Sequence, residues 1–341
     1  IGSAFVLTVM AAALNYGNAA HVATFVVAGL ALAALAALVG RSVEQVADRL
    51  GSGATGVVQS ALGNLPELFV CIFALRAGLV KVVEAAIIGS ILSNVLLVLG
   101  LAFAVGGLRH GRQAFDANRA RTLIALMILA VAAMLVPSLA SYVHSPAANH
   151  ERALSVIASV VLLAVFAMSV PSSLRRSEGE TEQEQDPALW PAPVAITVLA
   201  VTGVLAAFVS DWFVAALQPA LTSLHISQEF AGLVIVAIAG NAVENVVGIQ
   251  LAARGPAAPA LTVLLNSPLQ IALVLAPVLV LLSPVIGGAA FTLAFPPLLV
   301  TTVVASVLAV SFVIIDGEYD WLEGAALIGL YAVIAASFWW G

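Results

Sequence analysis

Charged residues are scarce in this chain, and their scarcity excludes most classes of soluble protein. Only 9% of the 341 residues are charged, 62% are hydrophobic, and the mean hydropathy is +1.12. An ordinary soluble domain carries about 25% charged residues. The 12 Lys and Arg residues are outnumbered by 18 Asp and Glu residues and form no basic patch of the kind that binds nucleic acid. The composition predicts an integral membrane protein whose partner is the lipid bilayer and not nucleic acid.

Cysteine and clustered histidine are also missing. Cys71 is the only cysteine and lies in an apolar run, so a disulfide within the chain is impossible. The five histidines stand near the ends of apolar runs and form no cluster, so no residue set favours zinc or copper. We expect no cofactor. The apolar runs do not alternate with polar residues over short strands, which excludes a transmembrane β-barrel.

The apolar runs are long enough to be membrane helices, because a helix needs about 20 apolar residues to cross a bilayer. On that rule the sequence predicts an all-α polytopic membrane protein with about eleven transmembrane helices. The predicted spans lie at about residues 3–19, 21–40, 54–75, 82–105, 121–139, 153–171, 192–214, 230–253, 258–285, 289–315 and 321–340.

The basic residues predict the orientation of these spans, because Lys and Arg are retained on the cytoplasmic side. Nine fall on one side of the predicted topology, and these are Arg41, Arg49, Arg109, Arg112, Arg119, Arg121, Arg175, Arg176 and Arg254. Only Arg76, Lys81 and Arg152 fall on the other side. We therefore expect the N-terminus in the cytoplasm and the C-terminus outside, in a cell inner membrane of prokaryotic type.

Residues 172–190 form the one long polar linker, and five of the 18 acids fall between Glu178 and Asp186. One interpretation is a solvated tether between two halves, which we favour. The other is a cytoplasmic acidic segment that concentrates cations near the ion path through its local field.

An internal repeat relates the two halves with a constant offset of 177 residues. The frame Gly-Asn-x-x-Glu occurs at Gly63 to Glu67 and again at Gly240 to Glu244, and Ser90 and Ser93 in the first half correspond to Ser267 and Gln270 in the second. Each half holds five spans if the first span is set aside. Five is odd, so the second half crosses the membrane upside down, as in the inverted repeats of secondary transporters.

The repeat divides the chain into four parts. They are an extra N-terminal transmembrane helix (1–20), a first five-helix repeat (21–171), the acidic cytoplasmic linker (172–190) and a second, inverted five-helix repeat (191–341).

The two frame glutamates, Glu67 and Glu244, are the predicted metal and proton ligands. A carboxylate in the middle of a membrane span is costly, so it indicates a functional site. Asn64 and Asn241 each add an amide carbonyl, and carboxylate and amide oxygens suit hard cations such as Ca²⁺, Mg²⁺, Mn²⁺ or Na⁺. Without a cation, two facing carboxylates repel each other and protonation becomes easier. Cations and protons would therefore compete for one site.

Further polar or small residues are expected to support this site. Pro66 removes a backbone N–H and frees the carbonyl of Leu62, and in the second half we expect Pro268 to interrupt the ninth span instead. The supporting residues are Gly63, Gly240, Pro66, Ser90, Ser93, Asn94, Asn245, Asn266, Ser267 and Gln270. Small-residue runs such as Ile88-Gly89-Ser90 also serve helix packing, and a single membrane glutamate can simply bond a neighbouring helix. The second copy in register favours a site.

Two acids near the ends of predicted spans have two interpretations each. Asp211 lies beside Ser210 late in the seventh span and is either an acid that faces water or a relay on the ion's route. Glu44 lies near Arg41 at the end of the second span, where a surface ion pair is the simpler reading.

At these residues the chain resembles the cation/proton exchanger (Ca²⁺/H⁺ antiporter) family of the Ca²⁺:cation antiporter superfamily. The motifs that carry the resemblance are Ser60-Ala61-Leu62-Gly63-Asn64-Leu65-Pro66-Glu67, Ile88-Gly89-Ser90-Ile91-Leu92-Ser93-Asn94, Val236-Ala237-Ile238-Ala239-Gly240-Asn241-Ala242-Val243-Glu244 and Gln270-Ile271-Ala272-Leu273. The resemblance implies eleven spans, an acidic segment after the sixth, and the two frame glutamates as a shared Ca²⁺ and proton site. It also implies that the second and seventh spans slide as gates, which would place Glu44 and Asp211 near the ion's route.

The chain departs from the family pattern at two places. Asn245 follows the second frame glutamate where the family usually has histidine, and Asn266-Ser267-Pro268 stands where the family motif usually begins Gly-Ser-Ser. Both departures bear on the preferred cation and the pH dependence.

The sequence therefore predicts a secondary active cation/proton antiporter, with Ca²⁺/H⁺ exchange by alternating access as the leading hypothesis. Na⁺/H⁺ or Na⁺/Ca²⁺ exchange is the alternative within the same class, and a cation channel is a third reading that the inverted repeat disfavours. An enzyme is not expected, because two symmetric frames offer neither a nucleophile with its base nor an asymmetric metal set.

Overall fold

The computed structural model of the protein describes residues 2–17, 20–47, 62–177, 190–255 and 257–340. These residues form twelve longer helices, one short 3₁₀ helix (Pro146–His150) and one two-stranded sheet. Along the chain the helices are α1 (Gly2–Tyr16), α2 (His21–Ala47), α3 (Leu65–Arg76), α4 (Val80–His110), α5 (Ala117–Tyr142), α6 (Glu151–Ser177), α7 (Ala192–Leu224), α8 (Gln228–Gly240), α9 (Ala242–Arg254), α10 (Ala257–Gln270, Ile271–Leu275 and Ala276–Ile286 in one run), α11 (Pro297–Ile314) and α12 (Trp321–Trp339).

The predicted all-α membrane architecture is confirmed. Eight of the described helices are long and apolar enough to cross a membrane, and α8 and α9, bent by 60° at their junction, make a ninth span if taken together. The two remaining predicted spans correspond to α1, which has 15 residues, and α3, which has 12. The first part of the span predicted around α3 lies outside the described residues. The boundaries proposed for the two repeats stay a prediction.

Local side-chain chemistry explains where several helices begin. Asp116 accepts hydrogen bonds from two backbone N–H groups in the first turn of α5, and Ser227 does the same for Phe230 in α8. Asp320 and Glu323 form a reciprocal capping box at the start of α12. These caps satisfy backbone donors that a helix cannot pair internally, which ends the loops at defined residues.

Three of the described helices carry π-helical segments. One is Ala231–Val236 in α8, and the other two are related by the sequence repeat. In α4 the segment is Ser93–Val98, and in α10 it is Ile271–Leu275. Residues 94–98 shifted by 177 become 271–275, so the backbone irregularity is duplicated together with the sequence. Isolated π segments occur mostly within α-helices at functional sites. The sequence signals no π segment, because one inserted residue per turn leaves no compositional mark.

Helices α1, α2 and α7 pack as one bundle on the rest of the molecule. Phe25 of α2 stacks on Phe213 of α7 with ring centroids 4.8 Å apart, and Tyr16 of α1 meets Trp212 of α7 edge to face at 5.8 Å. The backbone N–H of Trp190, just before α7, donates to the Gln45 side chain near the end of α2. These contacts join the second and seventh predicted spans, which the family resemblance identifies as the moving pair.

The segment between α10 and α11 buries Phe291, Leu293 and Phe295, and two serines satisfy the backbone of its buried part. Leu293 donates its N–H to Ser155 of α6 (3.0 Å), while its carbonyl accepts from Ser138 of α5 (2.8 Å). Ser138 also accepts from the N–H of Phe295 (3.0 Å). Buried backbone groups without hydrogen-bond partners would be costly. The two serine hydroxyls supply the partners that a neighbouring strand supplies in a sheet.

At the end of the molecule predicted to be cytoplasmic, loops from both halves pair as a short sheet. Strand β1 (Gln113–Ala114) runs antiparallel to β2 (Glu318–Tyr319). The ring of Tyr319 stacks on Phe103 of α4 with centroids 4.0 Å apart, and burial raises the pKa of Tyr319. This contact fixes the α4–α5 loop against the α11–α12 loop.

Candidate functional site

In both Gly-Asn-x-x-Glu frames a helix begins directly after the asparagine. Asn64 precedes α3 with backbone angles φ −93° and ψ 17°, and Asn241 separates α8 from α9 with φ −103° and ψ 20°. These angles lie near the sparsely populated bridge region between helix and strand, where many active-site residues sit. The two frames therefore share their local conformation as well as their sequence. Broken backbone at membrane depth is tolerated where it faces protein or a wet cavity.

One expectation about these breaks is wrong. We expected Pro268 to interrupt the second half, but it lies inside the continuous helix α10, and the interruption occurs at Asn241. Asn241 is buried at the break, and its side-chain amide donates to the Ala237 carbonyl, which also accepts from the Asn241 backbone N–H. Pro66 behaves as a helix starter in the first turn of α3, where the missing N–H costs nothing.

Glu67 is fully buried where the two halves meet. Its side chain is 0% exposed, and Ser90 of α4 donates a hydrogen bond to its carboxylate. Gly240, at the end of α8, lies against it: a Cβ atom added at Gly240 would be 3.4 Å from the Cβ of Glu67. The absence of a side chain at Gly240 lets the second frame approach the first carboxylate closely.

A chain of hydrogen bonds connects the second half to Glu67. The Asn241 amide nitrogen donates to the Ser90 hydroxyl at 2.9 Å, and the Ser267 hydroxyl donates to the Asn241 amide oxygen at 3.5 Å. Ser90, Ser267 and Asn241 are all at most 5% exposed. Because the oxygen of Ser90 accepts from an amide that can only donate, its proton is directed at the Glu67 carboxylate. The predicted partners Ser90, Asn241 and Ser267 therefore come together.

Several oxygen atoms near this chain are buried and have no hydrogen-bond partner within the described part of the structure. They belong to Ser93, Asn94 and Asn245. The Asn94 amide nitrogen is used, because it donates to the backbone carbonyl of Ser90 at 2.9 Å. A buried polar atom without a partner costs free energy and calls for a specific explanation, such as a water molecule or an ion.

The other predicted residues differ in how far their side chains are exposed. Asn64 is 9% exposed, and Asn266 and Gln270 of α10 are partly buried. The side chain of Glu244 lies outside the described part of the structure. Glu44 and Asp211 are both exposed, on α2 and α7.

The tight crossing of α4 and α8 was not identified from the sequence as part of the site. A Cβ atom at Gly89 would lie 2.3 Å from the backbone oxygen of Leu233, and one at Gly232 would lie 2.4 Å from that of Val82. Two glycines thus allow backbone contact between the halves, and this contact places Ser90 beside Asn241. The small-residue run around Gly89 was the available signal, and its packing interpretation is confirmed at Gly89.

The arrangement can bind a cation and a proton alternately. A carboxylate, an amide oxygen and hydroxyl oxygens in one buried place are the donors that a hard cation prefers. A carboxylate buried without a cation is penalised by desolvation, and a proton relieves that penalty. Both halves contribute to this place, so any relative movement of the halves changes it.

Comparison with known proteins agrees with this geometry. The chain is 33% identical to the Ca²⁺/H⁺ antiporter ChaA of Bacillus subtilis over 342 residues, which cover 97% of the chain and 95% of that protein. It is 33% identical to the Ca²⁺/H⁺ antiporter of Aphanothece halophytica over 340 residues, 93% of the chain and 90% of that protein. The solved structure of native YfkE matches with a TM-score of 0.84 and 30% identity, covering 98% of this chain and 99% of the other.

The family described as sodium/calcium exchanger protein matches residues 20–174 and 194–340, which is nearly the whole chain apart from the acidic linker and the first helix. The resemblance inferred from the two frames is therefore confirmed. On its sequence motifs, its fold and these matches, the chain belongs to the sodium/calcium exchanger protein family.

Proposed function

We propose that this protein is a secondary active antiporter that exchanges Ca²⁺ for protons by alternating access. The observation that carries the proposal is the buried carboxylate of Glu67, hydrogen-bonded to Ser90 and through it to Asn241 of the opposite half. Relatives over nearly the whole length are named Ca²⁺/H⁺ antiporters. No chemical step is involved, so the protein is a transporter and not an enzyme.

Competition at Glu67 provides the coupling. With Ca²⁺ bound, the carboxylate is ionised and contributes oxygen to the cation. When the cation leaves, a proton neutralises the buried carboxylate. Glu244 supplies the second carboxylate by the same repeat, and Asn64 and Asn241 contribute amide oxygens. Because the cation and the protons exclude each other, they cannot cross together. Exchange follows when the unoccupied site, with its buried uncompensated carboxylates, does not change sides.

Sliding of α2 and α7 would open the site to one side at a time. Phe25 of α2 stacks on Phe213 of α7, which would couple the two helices, and small sliding of packed helices is a common way in which proteins open and close sites. Glu44 and Asp211 are exposed on these two helices, which suits acids that attract a cation to the path.

The orientation follows from the basic residues. Nine Lys and Arg residues fall on the side that we assign to the cytoplasm and three on the other. In a prokaryotic-type inner membrane, this orientation makes the antiporter an exporter of Ca²⁺ that is driven by the inward proton gradient. By this assignment the acidic linker would lie on the cytoplasmic side, as a solvated tether or as a segment that concentrates cations.

Proteoliposomes containing the purified protein test the proposal. An imposed pH gradient should drive movement of radioactive Ca²⁺, and dissipation of the gradient should abolish it. A Glu67→Gln, Glu244→Gln double variant should be inactive while it purifies as a folded protein. Unaltered transport by that variant would refute the assignment of the site.

The family description names sodium, so Na⁺ exchange is the alternative to test. The same vesicles can be loaded with Na⁺ at equal pH on both sides. Ca²⁺ movement driven by the Na⁺ gradient would favour Na⁺/Ca²⁺ exchange, and movement driven only by the pH gradient would favour proton coupling. Omitting Ca²⁺ and following Na⁺ would reveal Na⁺/H⁺ exchange.

A further inference from the structure

The short helix α9 carries the second frame glutamate, and the helix before it does not fix its direction. Glu244 lies in the first turn of α9 (Ala242–Arg254), and the chain bends by 60° between α8 and α9. A continuous helix would keep both segments on one axis, whereas a bent junction leaves the direction of α9 to its neighbours. Helix α9 packs chiefly on α4 and α10. Contacts with these two helices therefore decide where the first turn of α9 lies.

The end of α4 holds the end of α9 through one carbonyl group. The Arg109 guanidinium donates a hydrogen bond to the Ala253 carbonyl at 3.3 Å, and the His110 Nε2 atom lies 3.2 Å from the same oxygen. A carbonyl oxygen only accepts, so Nε2 of His110 carries the proton and donates. The last carbonyls of a helix lack partners within it, and basic groups are favourable at that end. We call Arg109 and His110 the α9 clamp, because two donors of the first half hold a helix of the second.

A glycine of α4 brings the two helices close enough for this contact. A Cβ atom added at Gly106, one turn before His110, would lie 3.3 Å from the carbonyl oxygen of Ala252. Gly106 and Ala252 are buried, whereas Arg109 and His110 are exposed. The close approach places the last turn of α9 beside the basic end of α4, at the end of the molecule predicted to be cytoplasmic.

A contact near the middle of α9 lets the clamp act on the opposite end of the helix. Gly248 is buried against Leu264 of α10, because an added Cβ atom would lie 2.2 Å from a side-chain carbon of Leu264. At 1.5 Å per residue, Ala253 lies about 7.5 Å from Gly248 along the helix axis, and Glu244 lies about 6 Å from it in the other direction. A helix held at its middle turns like a lever, so a movement of its last turn displaces its first turn by nearly the same distance.

We propose that Arg109 and His110 are positioning residues that fix the tilt of α9 and thereby keep Glu244 in place for the cation. This inference rests on the proposed antiport function, in which Glu244 supplies the second carboxylate. Without the clamp, α9 would occupy the cation-binding orientation only part of the time, and the apparent affinity for Ca²⁺ would fall by that fraction. Saturating Ca²⁺ would select the binding orientation, so the maximal rate would be retained.

Removal of both donors tests the proposal in pH-driven Ca²⁺ uptake by proteoliposomes. The Arg109→Ala, His110→Ala variant should raise the apparent KM for Ca²⁺ roughly fivefold, the effect of one net hydrogen bond. Its maximal rate should stay within about twofold of wild type. Both side chains are exposed, so their loss leaves no cavity that would prevent folding. General structural damage would instead lower the maximal rate and leave KM unchanged, and that result would overturn the proposal.

Arg121 provides a matched control at the same end of the molecule. Its guanidinium donates to the Ile315 carbonyl at 2.7 Å, at the end of α11, and none of the predicted site residues belongs to α11. Arg121→Ala removes the same kind of cap from a helix outside the site, so its KM should stay within about twofold of wild type. An equal rise of KM in Arg121→Ala would contradict a specific effect of the α9 clamp.

A variant that keeps the donors gives a second readout. Arg109→Lys, His110→Gln retains an N–H donor at both positions, so its KM should lie close to that of wild type. A KM as high as that of the double alanine variant would show that hydrogen bonds to Ala253 are not the cause.

Amide hydrogen exchange of the purified protein separates the α9 clamp from the proposed function. Peptides that cover α9 should exchange at least about threefold faster in Arg109→Ala, His110→Ala than in wild type, whereas peptides of α11 should not. Unchanged exchange in α9 would refute the clamp. If wild type moves Ca²⁺ and the double alanine variant keeps its KM, only the positioning role fails. If wild type moves no Ca²⁺ under a pH gradient, the proposed function fails whatever the exchange rates are, and the positioning role fails with it.

Discussion

The Asn241 amide donates a 2.9 Å hydrogen bond to the Ser90 hydroxyl, and this bond joins the two halves of the protein at its buried carboxylate. The bond directs the Ser90 proton toward Glu67. It also makes the environment of the first-half glutamate depend on the position of the second half. A transporter in which one site is exposed to alternate sides requires such a dependence.

Replacing Asn241 with alanine should weaken transport strongly, because Ser90 loses the donor that orients its proton. Loss of a buried polar partner costs about 1–3 kcal/mol, which corresponds to roughly a 5- to 150-fold rise in apparent KM for Ca²⁺. Ca²⁺ uptake by proteoliposomes measures the change. Asn118→Ala in the first turn of α5 is the control and should transport normally. Normal KM in Asn241→Ala would show that the bond to Ser90 has no functional role.

Proton competition predicts how the apparent affinity for Ca²⁺ varies with pH. Ca²⁺ binds the ionised carboxylates, so acid conditions on the cation-binding side should raise the apparent KM and alkaline conditions should lower it. At the limit, the apparent KM for Ca²⁺ should change about tenfold per pH unit for each proton that the cation displaces. Uptake rates at a series of pH values with equal pH gradients measure this slope. A KM that is independent of pH would contradict competition at Glu67.

Gly89→Ala should destabilise the protein, because its methyl group would lie 2.3 Å from the Leu233 backbone oxygen and neither helix can yield locally. Overpacking of this kind costs about 1–3 kcal/mol. We expect a lower midpoint temperature of thermal unfolding for the variant. The measurement uses purified protein in detergent, with the folded fraction determined by gel filtration.

The matched control for that change is Gly203→Ala in α7, where an added Cβ meets nothing within 4 Å. Alanine favours a helix interior over glycine by about 1 kcal/mol, so the midpoint should stay equal or rise. A similar loss of stability in both variants would mean that the α4–α8 contact is not the cause.

Ser138→Ala should also destabilise the protein, through the segment between α10 and α11. The change leaves the buried N–H of Phe295 and the carbonyl of Leu293 without their partner. The expected cost is about 1–3 kcal/mol, again measured by thermal unfolding in detergent. Ser311→Ala, whose hydroxyl donates only to the Val307 carbonyl of its own helix, should change the midpoint little. Equal midpoints for the two variants would argue against the serine support of this segment.

The sequence was informative wherever the bilayer constrains it. A span needs a minimum apolar length and tolerates few charges, so the membrane helices and the cost of Glu67 could be read from composition and spacing. The repeat offset added the pairing of Asn64 with Asn241. The break in the second half was placed wrongly at Pro268, because proline is a strong local signal whereas Asn241 breaks the helix only with tertiary support from its buried contacts.

By itself, the sequence determined that this is a helical membrane protein with two related halves, each with one Gly-Asn-x-x-Glu frame in an apolar run. Hydrophobic length and repeated motifs are properties of the chain alone. Only the tertiary structure decided which oxygens meet. The close approach of Gly89 to Leu233 brings Ser90 to Asn241, and the rotation of α7 buries Ser210 while it exposes Asp211. These pairings depend on which helix faces pack together across the two halves, and packing between distant segments leaves no local pattern in the chain.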